Sequence, residues 1–166
     1  MTAEITVRRM TPDDLASWRW LRRDGLTRFP GAFILSIDEY EARTDEVEVD
    51  FLRHGLVHGV FDGTRPLGMA ALRIMPFARA RHRAEVGPFY MVPEAQGTGA
   101  ADLLMEALVT HARELGITQL ELSVAADNPR AVRFYERHGF RQEGRLPNAV
   151  MMPEGPQTDL FCVRLL

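Results

Sequence analysis

Disulfides are the first thing this chain lacks: Cys162 is its only cysteine, so no intramolecular staple holds the fold. It lies in the apolar run Leu160-Phe161-Cys162-Val163, where a free thiol packs as a small hydrophobe and no sequence neighbour lowers its pKa. Long hydrophobic runs are missing as well. No stretch reaches the roughly 18 apolar residues of a membrane-spanning helix, and Met1-Thr2-Ala3-Glu4-Ile5-Thr6 has neither the basic nor the apolar region of a secretion signal. A cytoplasmic protein with no membrane partner is expected. Positive charge is in short supply: 20 Lys+Arg against 23 Asp+Glu leave a net charge of −3 and a pI near 6.0. That is too little for a nonspecific grip on nucleic acid. His54, His58, His111 and His138 show no ligand-type spacing with cysteine or clustered carboxylate, so no metal site is expected. Repeats and low-complexity linkers are absent too, and the short Pro/Gly clusters read as turns inside one domain spanning residues 1–166.

What is present suits a stable core: 166 residues, 46% of them hydrophobic. Ile5-Thr6-Val7-Arg8 reads as a strand. Thr11-Pro12-Asp13-Asp14 reads as a helix start, with Leu15, Trp18 and Leu21 at helical spacing and Gly25 as the stop. Ser36-Ile37-Asp38-Glu39 has the form of a capping box, which predicts a second helix from Ser36 to about His54. Its acids, Asp38, Glu39, Glu41, Asp45, Glu46, Glu48 and Asp50, read as a solvated face. Val57–Asp62 and Leu67–Met75 read as antiparallel strands around Asp62-Gly63-Thr64-Arg65-Pro66. Ala84–Val92 is a third strand, which Gly87-Pro88 should make bulge or part from a neighbour.

Gly97–Leu115 reads as a helix with Ala100, Leu103, Leu104, Ala107, Leu108 and Leu115 on its apolar face and Gly116 as its stop. Leu120, Leu122 and Val124 alternate as in a half-buried strand, and Asn128-Pro129 opens a short helix that ends at Gly139. Phe140–Arg145 and Thr158–Leu166 close the chain as strands around Pro153-Glu154-Gly155-Pro156. The order β, α, α, β, β, β, α, β, α, β, β predicts an α/β fold, a mixed sheet flanked by about four helices.

Strand, glycine turn and helix start follow one another from Met91 to Asp102, an arrangement whose backbone N–H groups and helix dipole favour an anion. Gly97-Thr98-Gly99-Ala100-Ala101-Asp102 lacks the last small residue of a dinucleotide fingerprint, and no G-x-x-x-x-G-K-[ST] occurs. Taken alone, the turn serves a helix packed in the core as well as it serves a ligand.

Two spaced segments add to it. Gln96-Gly97-Thr98-Gly99-Ala100-Ala101, preceded by Val92-Pro93-Glu94, resembles the Gln/Arg-x-x-Gly-x-Gly/Ala motif of the GNAT superfamily of acyl-CoA-dependent N-acyltransferases. Downstream, Asn128 to Phe140 is similar to that family's Asn-x-x-Ala-x-x-x-Tyr-x-x-x-Gly-Phe. The resemblance is strongest over Glu85–Gly144.

It implies a GNAT-like sheet with splayed central strands, Ala84–Val92 and Thr118–Val124, and acetyl-CoA between them as cosubstrate. It also implies cofactor contacts at Met91, Val92, Gln96, Gly97, Thr98, Gly99, Ala100, Ala101, Asn128 and Tyr135. Backbone N–H groups near Val92 are candidate oxyanion donors, and Arg130, Arg133 and Arg137 candidate phosphate partners. By the same resemblance Tyr135 is the general acid for the leaving thiolate and Glu85 the general base acting through water, with His82 as the rival base. The acceptor is then a primary amine of a small molecule or peptide, and a homodimer through the closing strands is compatible with the pattern. The other reading is a non-catalytic acyl-CoA-binding or sensing module.

Overall fold

The computed structural model describes residues 4–166. Met1, Thr2 and Ala3, on which part of the leader reading rested, lie outside the described residues. In chain order the elements are β1 (Ile5–Arg9), α1 (Leu15–Arg28), α2 (Ile37–Glu41), α3 (Asp45–His54), β2 (Leu56–Asp62), β3 (Arg65–Ile74) and β4 (Arg83–Met91). They continue as α4 (Ala100–Glu114), β5 (Gln119–Ala125), α5 (Pro129–Arg137), β6 (Arg141–Met152) and β7 (Gly155–Leu165). The strands form one seven-stranded sheet in the order β1-β2-β3-β4-β5-β7-β6. Every neighbouring pair is antiparallel except β4 and β5. The expected mixed sheet is present, with five α-helices around it. Among the described residues no helix is long and apolar enough to cross a membrane.

Several boundaries differ from expectation, each for a physical reason. Helix α1 runs through Gly25 because a Cβ there would stand 3.0 Å from Cγ of Tyr90; the glycine serves close packing and does not end the helix. The helix expected from Ser36 to His54 is two helices. Its capping box forms as read, with Glu39 N–H donating to Ser36 Oγ at 3.2 Å and Ser36 N–H donating to Glu39 Oε2 at 2.9 Å. The break comes at Arg43-Thr44, where the Arg43 carbonyl accepts from Arg19 Nη2 at 2.9 Å and Thr44 takes an extended conformation that opens α3. The break turns Glu48, read as solvated, into the interior at 1% exposure.

The helix expected from Gly97 begins at Ala100, because Gly97 and Gly99 have positive φ angles of 75° and 89°. Its buried face is Ala100, Leu104, Met105, Leu108, Val109 and Ala112, whereas Leu103 and Leu115 are exposed. The closing hairpin is longer than read. Strand pairing passes Pro147 by bulging between Leu146 and Val150, with Asn148 at φ 52°. Cys162 is buried, as expected, and burial raises its pKa.

Candidate functional site

The parallel pair β4–β5 holds only at one end: Arg83 faces Gln119, Ala84 faces Leu120 and Glu85 faces Glu121. Beyond Glu85 the strands part, though β4 continues to Met91 and β5 to Ala125. Gly87 and Pro88 stand at the parting, where proline offers no ladder donor. The register of β4 against β3 also shifts there, between Ala70 and Leu72.

Two clefts adjoin the parting. One, of about 710 Å³, runs past Phe89, Tyr90 and Met91 to the glycine turn and α5. The other, of about 510 Å³, is lined by Glu85, Val86, Gly87 and Pro88 and reaches α1 and α3. Ala32 and Phe33, in the link between α1 and α2, line both.

Within the larger cleft the glycine turn is braced by its own side chains. Thr98 Oγ1 donates to the Ala95 carbonyl at 2.7 Å, and Gln96 Nε2 donates to the Met91 carbonyl at 3.1 Å. The backbone amides of Gly97, Thr98, Gly99, Ala101 and Asp102 meet no protein acceptor among the described residues. A Cβ built at Gly97 or Gly99 meets nothing within 4 Å, so a ligand can approach the backbone there. Unpaired amides at the start of a long helix make an anion site. Asp102 lies on its rim and is held ionised, its pKa lowered first by the hydrogen bond from Arg137 at 2.7 Å, with His138 also at 2.7 Å.

Of the residues singled out from sequence, Met91, Gln96, Gly97, Gly99, Ala101, Asn128 and Tyr135 line this cleft. Thr98 and Ala100 belong to the turn without lining the cleft. Val92 does not line it either: it is buried, and its N–H donates to the Leu67 carbonyl at 2.9 Å. The oxyanion donor expected near Val92 is therefore already committed to the sheet at that residue. Arg130 and Arg137 line the cleft; Arg133 does not.

Asn128 Oδ1 accepts from the Ala131 N–H at 3.2 Å, capping α5 while the residue faces the cleft. Tyr135 packs edge-on against Phe134, Phe140 and Phe89, with ring centroids 5.3, 5.7 and 6.2 Å away. Its hydroxyl has no hydrogen-bond partner among the described residues, and burial pushes its pKa up, so the phenol keeps its proton at neutral pH. Glu85 lines the smaller cleft, in an ion pair with Arg73. His82 lines neither cleft.

Apart from Glu85, the polar wall of the smaller cleft was not legible in the sequence, where Glu48 read as solvated. Arg22, Arg43, Glu48, Arg73 and Asp159 come to it from α1, the α2–α3 break, α3, β3 and β7. No spacing in the chain connects them. The only available signal was Arg22 on the apolar side of α1, next to Leu21.

A mixed sheet with a single parallel pair, opening beside a glycine turn and an amide-lined helix start, defines a GNAT-type fold. The chain belongs to the acetyltransferase (GNAT) family, whose model matches residues 15–140. Over 83 residues, 48% of this chain, it is 39% identical to the mycothiol acetyltransferase of Geodermatophilus obscurus, covering 27% of that protein. The chain spans between 19% and 38% of the length of the first curated relatives it matches. Among solved structures, an acetyltransferase of the GNAT family from Streptococcus pneumoniae superposes with a TM-score of 0.85 at 22% identity, covering 98% of this chain and 99% of that one. The yncA protein of Salmonella typhimurium, solved with its cofactor acetyl-CoA, superposes with a TM-score of 0.86 at 16% identity over 98% of this chain and 94% of that one.

Proposed function

We propose that the chain transfers an acetyl group from acetyl-CoA to a primary amine of a small molecule or peptide. The observation that carries this reading is the parting of β4 and β5 at Glu85, with an anion-binding turn and a protonated phenol on one side and a carboxylate-lined cleft on the other. Acetyl-CoA supplies an electrophilic thioester. The turn fits its pyrophosphate: Gly97, Gly99 and Ala101 line the cleft with amides that no protein group accepts among the described residues, and the side chains of Gln96 and Thr98 brace the turn. Met91 and Asn128 flank the remaining length, while Arg130 and Arg137 offer positive charge to the outer phosphate.

In the reaction the amine nitrogen bonds to the thioester carbon and the carbon–sulfur bond breaks. Tyr135 gives its phenolic proton to the departing sulfur. Glu85, at the last position of β4 paired with β5, takes the proton lost by the amine through a water molecule. The backbone of Val86–Met91 on its β5-facing edge has no strand partner, which leaves it free to lie along the cosubstrate arm.

The test is thiol release from acetyl-CoA with a panel of primary amines, comparing wild type with Tyr135→Phe. The chain contains no lysine, so release without acceptor cannot come from acetylation of its own lysine side chains. Acceptor-dependent release that falls sharply in Tyr135→Phe supports the reading. Binding of acetyl-CoA with no release across the panel favours the sensing module instead.

A further inference from the structure

Among the described residues, the smaller cleft contains one cation without a polar partner. Arg22 is 7% exposed, lines the cleft, and makes no side-chain hydrogen bond among the described residues; its Nη1 is fully buried and unpartnered. Three aromatic rings hold the guanidinium in place, with Cζ 5.3 Å from the Tyr40 centroid, 5.5 Å from Phe33 and 5.7 Å from Trp18. Rings at these distances stabilise a cation without satisfying its N–H donors.

The nearby carboxylates are taken. Glu48 Oε2 accepts from Trp18 Nε1 at 2.5 Å and from the Tyr40 hydroxyl at 3.4 Å, while Oε1, which accepts no hydrogen bond among the described residues, is held in an ion pair 2.8 Å from Arg43 Nε. Glu39 caps α2 through Ser36, Glu85 pairs with Arg73, and Asp159 accepts from Gln157 Nε2 at 2.9 Å. Burial also lowers the pKa of Arg22, opposed by the charges of Tyr40 and Glu48, so a further negative charge in the cleft would relieve the desolvated guanidinium.

From this arrangement, which rests on the acetyl-transfer reading above, we infer that the amine acceptor carries a carboxylate and that the Arg22 guanidinium binds it. The other cleft arginines, Arg43 and Arg73, are paired with carboxylates, so one free positive charge matches one singly charged group rather than a phosphate. The planar guanidinium donates in the fork geometry that a carboxylate accepts. A cleft of about 510 Å³ suits an acceptor of amino-acid or dipeptide size. Arg22 is thus a specificity residue that anchors the end of the acceptor remote from the reacting amine.

The experiment compares each of a panel of L-α-amino acids with its α-amide as acceptor. At least one amino acid should exceed its amide about tenfold in kcat/KM, the difference lying in KM. Arg22→Gln should bring that ratio close to one, and Arg22→Lys, which keeps the charge without the fork, should leave an intermediate ratio. Equal use of acids and amides by wild type overturns the inference, and that arm stands even if both variants fail to fold. A 2-aminoethylphosphonate acceptor preferred over every amino acid overturns it too. The second readout needs no transfer: in a Trp20→Phe background, Trp18 fluorescence reports binding beside Arg22. Saturable change with an amino acid but not its amide supports the subsite even where no thiol is released, an outcome that sinks the transfer reading alone. No change with any amino acid overturns the subsite.

Discussion

Tyr90 on β4 lays its ring against Gly25 of α1 and donates its hydroxyl to Asp24 in the same helical turn. This contact ties α1 to the strand that borders the larger cleft. A Cβ at position 25 would stand 3.0 Å from Tyr90 Cγ and 3.2 Å from Cδ2. Helix propensity favours alanine over glycine by about 1 kcal/mol, but crowding a packed ring costs about 1–3 kcal/mol. The crowding term wins. Gly25→Ala should lower stability by about 1 kcal/mol in urea unfolding and weaken acetyl-CoA binding, because Tyr90 lines that cleft.

Tyr135→Phe removes one hydroxyl and keeps the ring that packs on Phe134 and Phe140. Acetyl-CoA affinity by calorimetry should change little. Turnover should fall by about 100-fold, the lower end for loss of a positioned general acid. A variant with wild-type turnover would move the proton donor to another group.

Gly99 stands at φ 89°, where an L-residue costs about 1–2 kcal/mol. Gly99→Ala should raise the acetyl-CoA Kd about tenfold, or 1.4 kcal/mol, by turning the amides that face the ligand. Gly63, at φ 58° in the β2–β3 turn, is the control. Gly63→Ala carries similar backbone strain far from the cleft, so it should lower Tm without altering the Kd.

His58 on β2 packs edge-on against His111 of α4, ring centroids 5.0 Å apart, with both Nδ1 atoms buried and unpartnered. Burial, then the charges of His111 and Arg9, pushes the His58 pKa down to about 4. In the unfolded chain it returns to about 6.5, so the unfolded state binds the proton first as pH falls. The stabilisation is complete above about pH 6.5 and is lost progressively toward pH 4. Between pH 7.5 and 5.0 the urea midpoint should drop by the equivalent of about 2 kcal/mol. His58→Phe should flatten that dependence if it folds, and His111→Gln should reduce it.

The larger cleft was legible because its parts are contiguous in sequence. Gln96 to Ala101 make one turn, and Asn128 and Tyr135 lie almost two helical turns apart on one short helix. The hairpins and the parting at Gly87-Pro88 were legible for the same reason: turn chemistry and the missing proline donor act locally. That Val92 does not line this cleft and spends its N–H on Leu67 was not legible, because pairing across a sheet leaves no trace in the spacing of one strand. The break at Arg43-Thr44 was hidden likewise, since the group that takes the Arg43 carbonyl is Arg19, on another helix.

By itself the sequence determined the order of the strands, the glycine turn and the short helix that carries Tyr135, since each depends on residues within a few turns of one another. Only the tertiary structure decided the polar wall of the smaller cleft. It buried Glu48, paired Arg73 with Glu85, and left Arg22 among three rings without a hydrogen-bond partner among the described residues. Whether a charged side chain is satisfied depends on every group that can reach it, and for Arg22 those groups come from separate elements that only folding brings together.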